Sequence, residues 1–430
     1  MRLIQSSMTF HRFTSSRLAT GVLVLALANA ASAASKKAPA TPATPAAPPA
    51  VVIAPPAVSG ASGTSPIAPV LAAKAWLLID MTSSQRLAGE NETARVDPAS
   101  LTKLMVDYLT LAAIRDKKLT LTQAIPVPVD LYQRVNRRTE SVMFIPPGKT
   151  ATVDDLLHGL IIQSGNDAAL VLADAVGGSE ASFVEMMNRE AKRLGMNATS
   201  FRNPSGMSDP QHYSTAADLA ILVTHLINEF PEFYPLYSQK DFTYNGIKQG
   251  NRNLLLYKDN TVDGVKTGHT DAAGYCLIAS AKRPQPAGAG GGDRRLLSVV
   301  MGASSSDARA QESLKLLNWG FQNFDAVRLY EANQSIATPQ LWKGTEKEIK
   351  VGFQNPIYMT LPKGQAGNVK STLDRRDPLV APIAAGDRVG TLKLMVDGKS
   401  IGELPVVSLD TVPQAGFFGR AWDSIRLMVK

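Results

Sequence analysis

The sequence predicts an α+β protein: helices against an antiparallel sheet, then a small all-β domain, then a C-terminal amphipathic helix. Three observations carry this expectation. An apolar strand, Ala75-Trp76-Leu77-Leu78-Ile79-Asp80, is separated by a series of helix-patterned segments from a group of strands near 264–268, 274–281 and 296–301. Beyond residue 325 the texture changes to short apolar runs divided by turns, the pattern of a β-rich module. The closing stretch 417–430 sets Phe418, Trp422, Ile425 and Met428 on one helical stripe, with Arg420, Asp423, Arg426 and Lys430 on other faces.

A chain of 430 residues exceeds one ordinary domain and predicts two or three. Its net charge of +8 suits anionic surfaces such as phospholipid headgroups or cell-wall polymers. Nucleic acid is not an expected partner, because no Lys/Arg run with interleaved aromatics and no zinc or helix-turn-helix pattern is present. The single cysteine, Cys276, allows no internal disulfide and, with five scattered histidines, no Cys/His metal cluster, so no metal and no cofactor are expected. Its setting, Tyr275-Cys276-Leu277-Ile278-Ala279, is that of a buried strand residue.

The order of the chain follows from local signals. Arg2, His11, Arg12 and Arg17 precede an apolar run at 18–28, and Ala31-Ser32-Ala33 offers a cleavage site, so residues 1–33 are expected to be a secretory signal peptide. The run falls short of the ~20 residues a spanning helix needs. Residues 34–70, rich in alanine and proline, are expected to form an extended linker. An exported chain without disulfides points to a bacterial envelope. In the segment 71–325, a strand at 85–88 follows the first through Thr82-Ser83-Ser84. Asp97 and Pro98 supply a cap and a first-turn proline for a helix bearing Leu101, Leu104, Met105, Tyr108, Leu109 and Ala112. Thr152-x-x-Asp155 reads as a capping box, Gln163-Ser164-Gly165-Asn166 interrupts the helix it opens, and Gly177-Gly178 ends the resumed helix. Helices at 179–194 and 215–228 follow, then a hairpin across Asn245-Gly246, a flexible hairpin tip at 284–292 and a helix at 307–323. The segment 326–411, with strands at 357–361, 389–396 and 404–409, is the β-rich domain, and it carries no catalytic constellation. Residues 412–430 read as a membrane-surface anchor or, equally, as a helix docked on its own domain.

Three motifs occur in one order: Ser100-x-x-Lys103, Ser164-Gly165-Asn166 and Lys266-Thr267-Gly268. Residues at i and i+3 share a helix face, so the Lys103 amine can reach the Ser100 hydroxyl and take its proton. Each motif alone is common, whereas the ordered trio is specific. The wider stretches Asp97-Pro98-Ala99-Ser100-Leu101-Thr102-Lys103, Gln163-Ser164-Gly165-Asn166-Asp167-Ala168 and Val262-Asp263-Gly264-Val265-Lys266-Thr267-Gly268-His269-Thr270 closely resemble the low-molecular-mass penicillin-binding proteins of the D-alanyl-D-alanine carboxypeptidase family. The resemblance covers nearly all of the chain beyond the Ala/Pro linker. It implies a penicillin-binding serine-peptidase (β-lactamase-like) fold for the first domain.

The resemblance also implies roles. Ser100 is the expected nucleophile and Lys103 its base, neutral because the second cation Lys266 and partial burial lower its pKa. Ser164 is expected to pass a proton to the leaving amine, and Asn166 to hold the substrate peptide group and orient Lys103. The oxyanion falls to the backbone N–H groups of Ser100 and His269. Gly268 leaves room for substrate along the strand, Lys266 and Thr267 take the terminal carboxylate, and Arg309 supports that contact. A direct proton-transfer role for His269 is not expected. Asp167 and Asp263 read as turn or capping residues. In Asn203-Pro204-Ser205-Gly206-Met207, Ser205 stands where many relatives carry a histidine, which removes a deacylation role for that side chain. No Glu-x-x-x-Asn loop of the class A β-lactamase kind is present, so fast penicilloyl hydrolysis is not expected. The expected activity is serine-type D-Ala-D-Ala carboxypeptidase action on peptidoglycan stem peptides, with β-lactams acylating Ser100. The expected location is the periplasm, peripherally on the inner (cytoplasmic) membrane. A β-lactamase or D,D-endopeptidase would share the motifs, and a non-catalytic wall-binding protein would share the fold.

Overall fold

Ala75–Asp80 is buried along its whole length, so it needs cover on both faces and a partner on both edges. The computed structural model, which describes residues 66–285 and 292–429, supplies them. The expected signal peptide, most of the linker, the tip of the 284–292 hairpin and Lys430 lie outside the described residues. The strands β1 (Ala75–Asp80), β2 (Gln85–Glu90), β3 (Val262–Thr270), β4 (Gly274–Pro284) and β5 (Asp293–Ala303) form one sheet in the order β2-β1-β5-β4-β3. Every pairing in it is antiparallel.

Strand alternation divides the core. Leu77, Ile79, Val299 and Ile278 face one apolar cluster, while Trp76, Leu78, Val300 and Leu277 face another. Helices α1 (Lys103–Arg115), α2 (Val153–His158), α3 (Asn166–Gly177), α4 (Glu180–Leu194) and α5 (Ala216–Glu229) contribute to the first cluster. Helix α6 (Ser306–Asn323) covers the second. Residues 166–173 of α3 are buried without interruption, the stretch 168–173 as its apolar composition demands and Asn166 and Asp167 as buried polar groups.

Two local differences from expectation matter for the site. The helix predicted from Asp97 starts as a tight 3₁₀ turn, Ala99–Thr102, and becomes α-helical only at Lys103. Asp97 accepts from the Ala99 N–H at 2.7 Å, and Ala99 takes φ +48°, so the aspartate bends the chain in place of capping α1. Likewise α2, capped by Thr152 as predicted, widens into a π turn, Gly159–Gln163, which ends at Ser164 in the left-handed region.

The second domain contains the pair β6 (Phe324–Tyr330) and β7 (Ile357–Pro362), and the antiparallel run β8 (Val369–Arg375), β9 (Arg388–Val396) and β10 (Lys399–Ser408). Strand β8 carries no sequence signal because it is a sheet edge with largely solvated side chains. The domains meet at a buried polar knot. Asp80 accepts from Arg294 Nε and from the Thr360 hydroxyl, each at 2.6 Å, and Arg294 Nη1 donates to the Phe324 carbonyl at 2.6 Å.

Helix α7 (Phe417–Val429) is held to this domain at one face: Asp423 accepts from the Lys343 N–H at 2.6 Å, and Arg426 lies over the Trp342 ring. Phe417, Phe418, Trp422, Ile425 and Met428 remain exposed, Phe418 by 86%. No helix among the described residues is long and apolar enough to cross a membrane.

Candidate active site

The three motifs converge on one cleft of about 780 Å³, within the usual range for small-ligand sites. Ser100 comes from the 3₁₀ turn, Ser164 from the break between α2 and α3, Asn166 from the first residue of α3, and Thr267, Gly268 and His269 from the edge strand β3; Arg309 lines it as well. Lys103 and Lys266 lie buried beneath its floor.

The nucleophile turn is pressed from two sides. A Cβ on Gly268 would lie 3.1 Å from the Pro98 carbonyl oxygen and 3.2 Å from Ala99 Cβ, so the missing side chain admits the turn that carries Ser100. This packing role stands beside the expected one of leaving room for substrate along the strand. Gly206, at φ +83°, sits where a Cβ would lie 1.9 Å from the Ala99 carbonyl oxygen. The loop 203–207 is itself organised by Asn203 Oδ1, which accepts from the Gly206 and Met207 N–H groups and the Ser205 hydroxyl.

Lys103 Nζ stands 3.0 Å from Ser100 Oγ and also donates to the Ser205 carbonyl. Burial, and then the Arg252 guanidinium, bring its pKa down to about 7, while Glu140 and Asp167 pull the other way. Arg252 joins the expected helper, Lys266, as a cation near this base. Lys266 is itself held well below the ordinary lysine value by burial and then by Lys103, Arg252 and Arg309. A neutral Lys103 keeps a lone pair for the serine proton.

The other predicted residues fall as follows. Ser164 Oγ is buried and has no hydrogen-bond partner among the described residues. Asn166 donates to Glu140 Oε2 at 2.5 Å and to Met207 Sδ, where orientation of Lys103 was expected. Lys266 Nζ donates to the Thr267 carbonyl at 3.1 Å. His269 is exposed and packs its ring on Tyr275. Arg309 lies inside the first turn of α6 and donates to the Gly268 carbonyl at 3.0 Å. Its pKa falls to about 10 through burial. Asp167 accepts from the Met143, Ile145 and Ala168 N–H groups and the Tyr132 hydroxyl, which anchors the loop over the cleft. Asp263 pairs with Arg295 at 2.7 Å. Cys276 is a buried strand residue, as expected, its thiol pushed up to about 11 by burial. Sequence reasoning missed Glu140 and Arg252, which line the cleft from loops that carry no motif or periodicity.

The same order of motifs on the same architecture is found in known proteins. The family described as D-alanyl-D-alanine carboxypeptidase matches residues 62–305, and the C-terminal domain of penicillin-binding protein 5 matches residues 324–414. The chain belongs to the D-alanyl-D-alanine carboxypeptidase family. One similar relative in that family is D-alanyl-D-alanine carboxypeptidase DacC of Escherichia coli, 42% identical over 83% of this chain and 88% of its own length. Penicillin-binding protein 5 from Haemophilus influenzae superposes with a TM-score of 0.76 at 38% identity, covering 82% of this chain and all of that one. Penicillin-binding protein D2 from Listeria monocytogenes, solved in an ampicillin-bound form, is similar over 60% of this chain and all of its own, at 31% identity and a TM-score of 0.51. As a carboxypeptidase of this family the chain is a serine-type hydrolase and a penicillin-binding protein.

Proposed function

We propose that the protein removes the terminal D-alanine from peptidoglycan stem peptides through an acyl-enzyme on Ser100, and that β-lactams acylate the same hydroxyl. The observation that carries this reading is the 3.0 Å contact between Ser100 Oγ and a Lys103 amine whose burial makes it a base near neutrality. Lys103 takes the serine proton as Oγ attacks the carbonyl of the penultimate residue. Ser164, with its free hydroxyl, relays the proton to the departing amine. The oxyanion is held by the N–H groups of Ser100 and His269. Asn166 receives the substrate's peptide group. Thr267, with Lys266 below it, receives the terminal carboxylate against the free edge of β3, and Arg309 supports that contact through the Gly268 carbonyl. Hydrolysis of the acyl-enzyme completes turnover.

The chain divides, in this reading, into a signal peptide (1–33), a linker (34–70), a catalytic domain (71–325), a β-rich domain (326–411) and an anchor (412–430). Separate apolar cores support the middle boundary. The apolar row Phe417, Phe418, Trp422, Ile425 and Met428 lies on a bilayer surface, with Arg420 and Arg426 available to anionic headgroups, so the enzyme works in the periplasm on the inner membrane.

Incubation of wild type and Ser100→Ala with labelled penicillin, and with a pentapeptide ending in D-Ala-D-Ala, tests the mechanism. Wild type takes the label and releases D-alanine, and the variant does neither; labelling of the variant sinks the mechanism. Rapid loss of label from wild type indicates a β-lactamase. Deletion of residues 417–430 releases the protein from anionic vesicles in a flotation assay, and retention of the truncated chain refutes the anchor.

A further inference from the structure

Asn166 has one hydrogen-bond direction settled by chemistry. Its neighbour, the Glu140 carboxylate, can only accept, so the nitrogen of the Asn166 amide must face it; the contact is 2.5 Å from Nδ2 to Oε2. The second carboxylate oxygen, Oε1, accepts from the Asn136 N–H at 3.0 Å, and the Glu140 N–H closes the same turn onto the Asn136 carbonyl at 2.9 Å. Glu140 is thereby fixed at both oxygens. The next residue, Ser141, is tied to the cleft from two sides: its carbonyl accepts from the Asn166 N–H at 2.7 Å and its hydroxyl from Arg252 Nη1 at 2.6 Å.

We infer that Glu140 is a positioning residue for the acylation site, fixing the amide of Asn166 with its oxygen toward the cleft and standing as the counter-charge to Arg252 beside Lys103. An Asn166 side chain so held offers an acceptor to the N–H of an extended peptide substrate; the opposite orientation offers it a second donor. The charges facing Lys103 are Arg252 and Lys266 on the positive side and Glu140 and Asp167 on the negative. His212 faces the same turn through Thr102 and stays neutral. Asp167 is already saturated by three backbone N–H groups and Tyr132. Lys266 is itself pushed toward its neutral form by burial. The adjustable balance at the base therefore lies between Glu140, which favours the ammonium, and Arg252, which favours the amine.

The inference rests on the acyl-enzyme reading above, and one experiment separates the two. The rate of Ser100 acylation by labelled penicillin is measured against pH for wild type, Glu140→Gln and Glu140→Asp, with deacylation followed in parallel and melting temperature as a fold control. Absence of labelling in wild type overturns the reading itself. With wild type labelled, Glu140→Gln is expected to move the acid limb of the rate profile down by roughly 0.5–1 pH unit, because one negative charge is lost near the base. It also lowers the plateau about tenfold, because the glutamine nitrogen rewards a flipped Asn166. Glu140→Asp, which keeps the charge and shortens the reach, holds the wild-type limb and loses a similar factor from the plateau. An unshifted limb in Glu140→Gln overturns the inference. So does normal acylation with stalled deacylation, which would make Glu140 the base for hydrolysis.

Discussion

His212 donates from Nε2 to the Thr102 hydroxyl at 2.8 Å, within the turn that links Ser100 to Lys103. The tautomer follows from the other ring nitrogen, Nδ1, which accepts from the Arg202 N–H at 3.1 Å. Burial holds this imidazole down to about 4, so it is neutral throughout the working range. The unfolded chain binds a proton at this residue below about pH 6.5, whereas the folded chain binds it only near pH 4. The residue's contribution is therefore full above pH 6.5 and lost as pH falls toward 4. His212→Ala leaves the Thr102 hydroxyl unpaired and should cost roughly 1–3 kcal/mol at pH 7.5. Thermal melts across pH 4–7 should show a flatter dependence in the variant than in wild type.

The base itself predicts a pH profile. A lysine brought to about 7 is half neutral there, so acylation should rise with pH through that value and level off above it. Lys103→Arg keeps the positive charge and cannot lose its proton. Its acylation rate should drop by about 10²–10⁴-fold at every pH, as read by labelled penicillin.

Two glycines should respond differently to the same methyl group. Gly268→Ala asks β3 to move a few tenths of an ångström from the Pro98-Ala99 backbone, and should slow acylation by about tenfold with little change in melting temperature. Gly206→Ala adds a left-handed φ to a clash with the Ala99 carbonyl, and should lose roughly 1–3 kcal/mol of stability together with most activity. Calorimetry and acylation kinetics on the two variants compare them directly.

The domain junction predicts a non-additive pair. Arg294→Ala leaves the Asp80 carboxylate buried beside Thr360 without its cation, at a cost of about 3–5 kcal/mol. Adding Asp80→Ala should recover part of that loss, because no charge is then stranded. Chemical denaturation of the two singles and the double variant measures the coupling.

The parts of the site legible in the sequence are those whose chemistry is carried by local spacing. Ser100 and Lys103 share a helical face whatever surrounds them, and the Asn245-Gly246 hairpin and the Gly195 helix end obey the backbone alone. Glu140 and Arg252 were not legible, because each reaches the cleft from a loop whose position is set by distant contacts. Gly268 shows the limit most clearly. A missing Cβ is visible in the sequence, but which neighbour fills its space depends on how β3 meets the 3₁₀ turn. Strand β8 escaped for the opposite reason: with its side chains in solvent, it has no apolar alternation to read.

The strand order has a consequence for timing. Strand β1 pairs with β5, and β3 joins that core only through β4, so the cleft wall bearing Thr267 and Gly268 has its support only when nearly the whole first domain has been made. A chain emerging from its N-terminus shows the serine and the lysine long before it can dehydrate them. Lys103 in that exposed state is an ordinary ammonium and no base at all. The enzyme is thus born disarmed, and it becomes reactive only once β4 and β5, which follow the cleft wall in the chain, have been made to hold that wall in place.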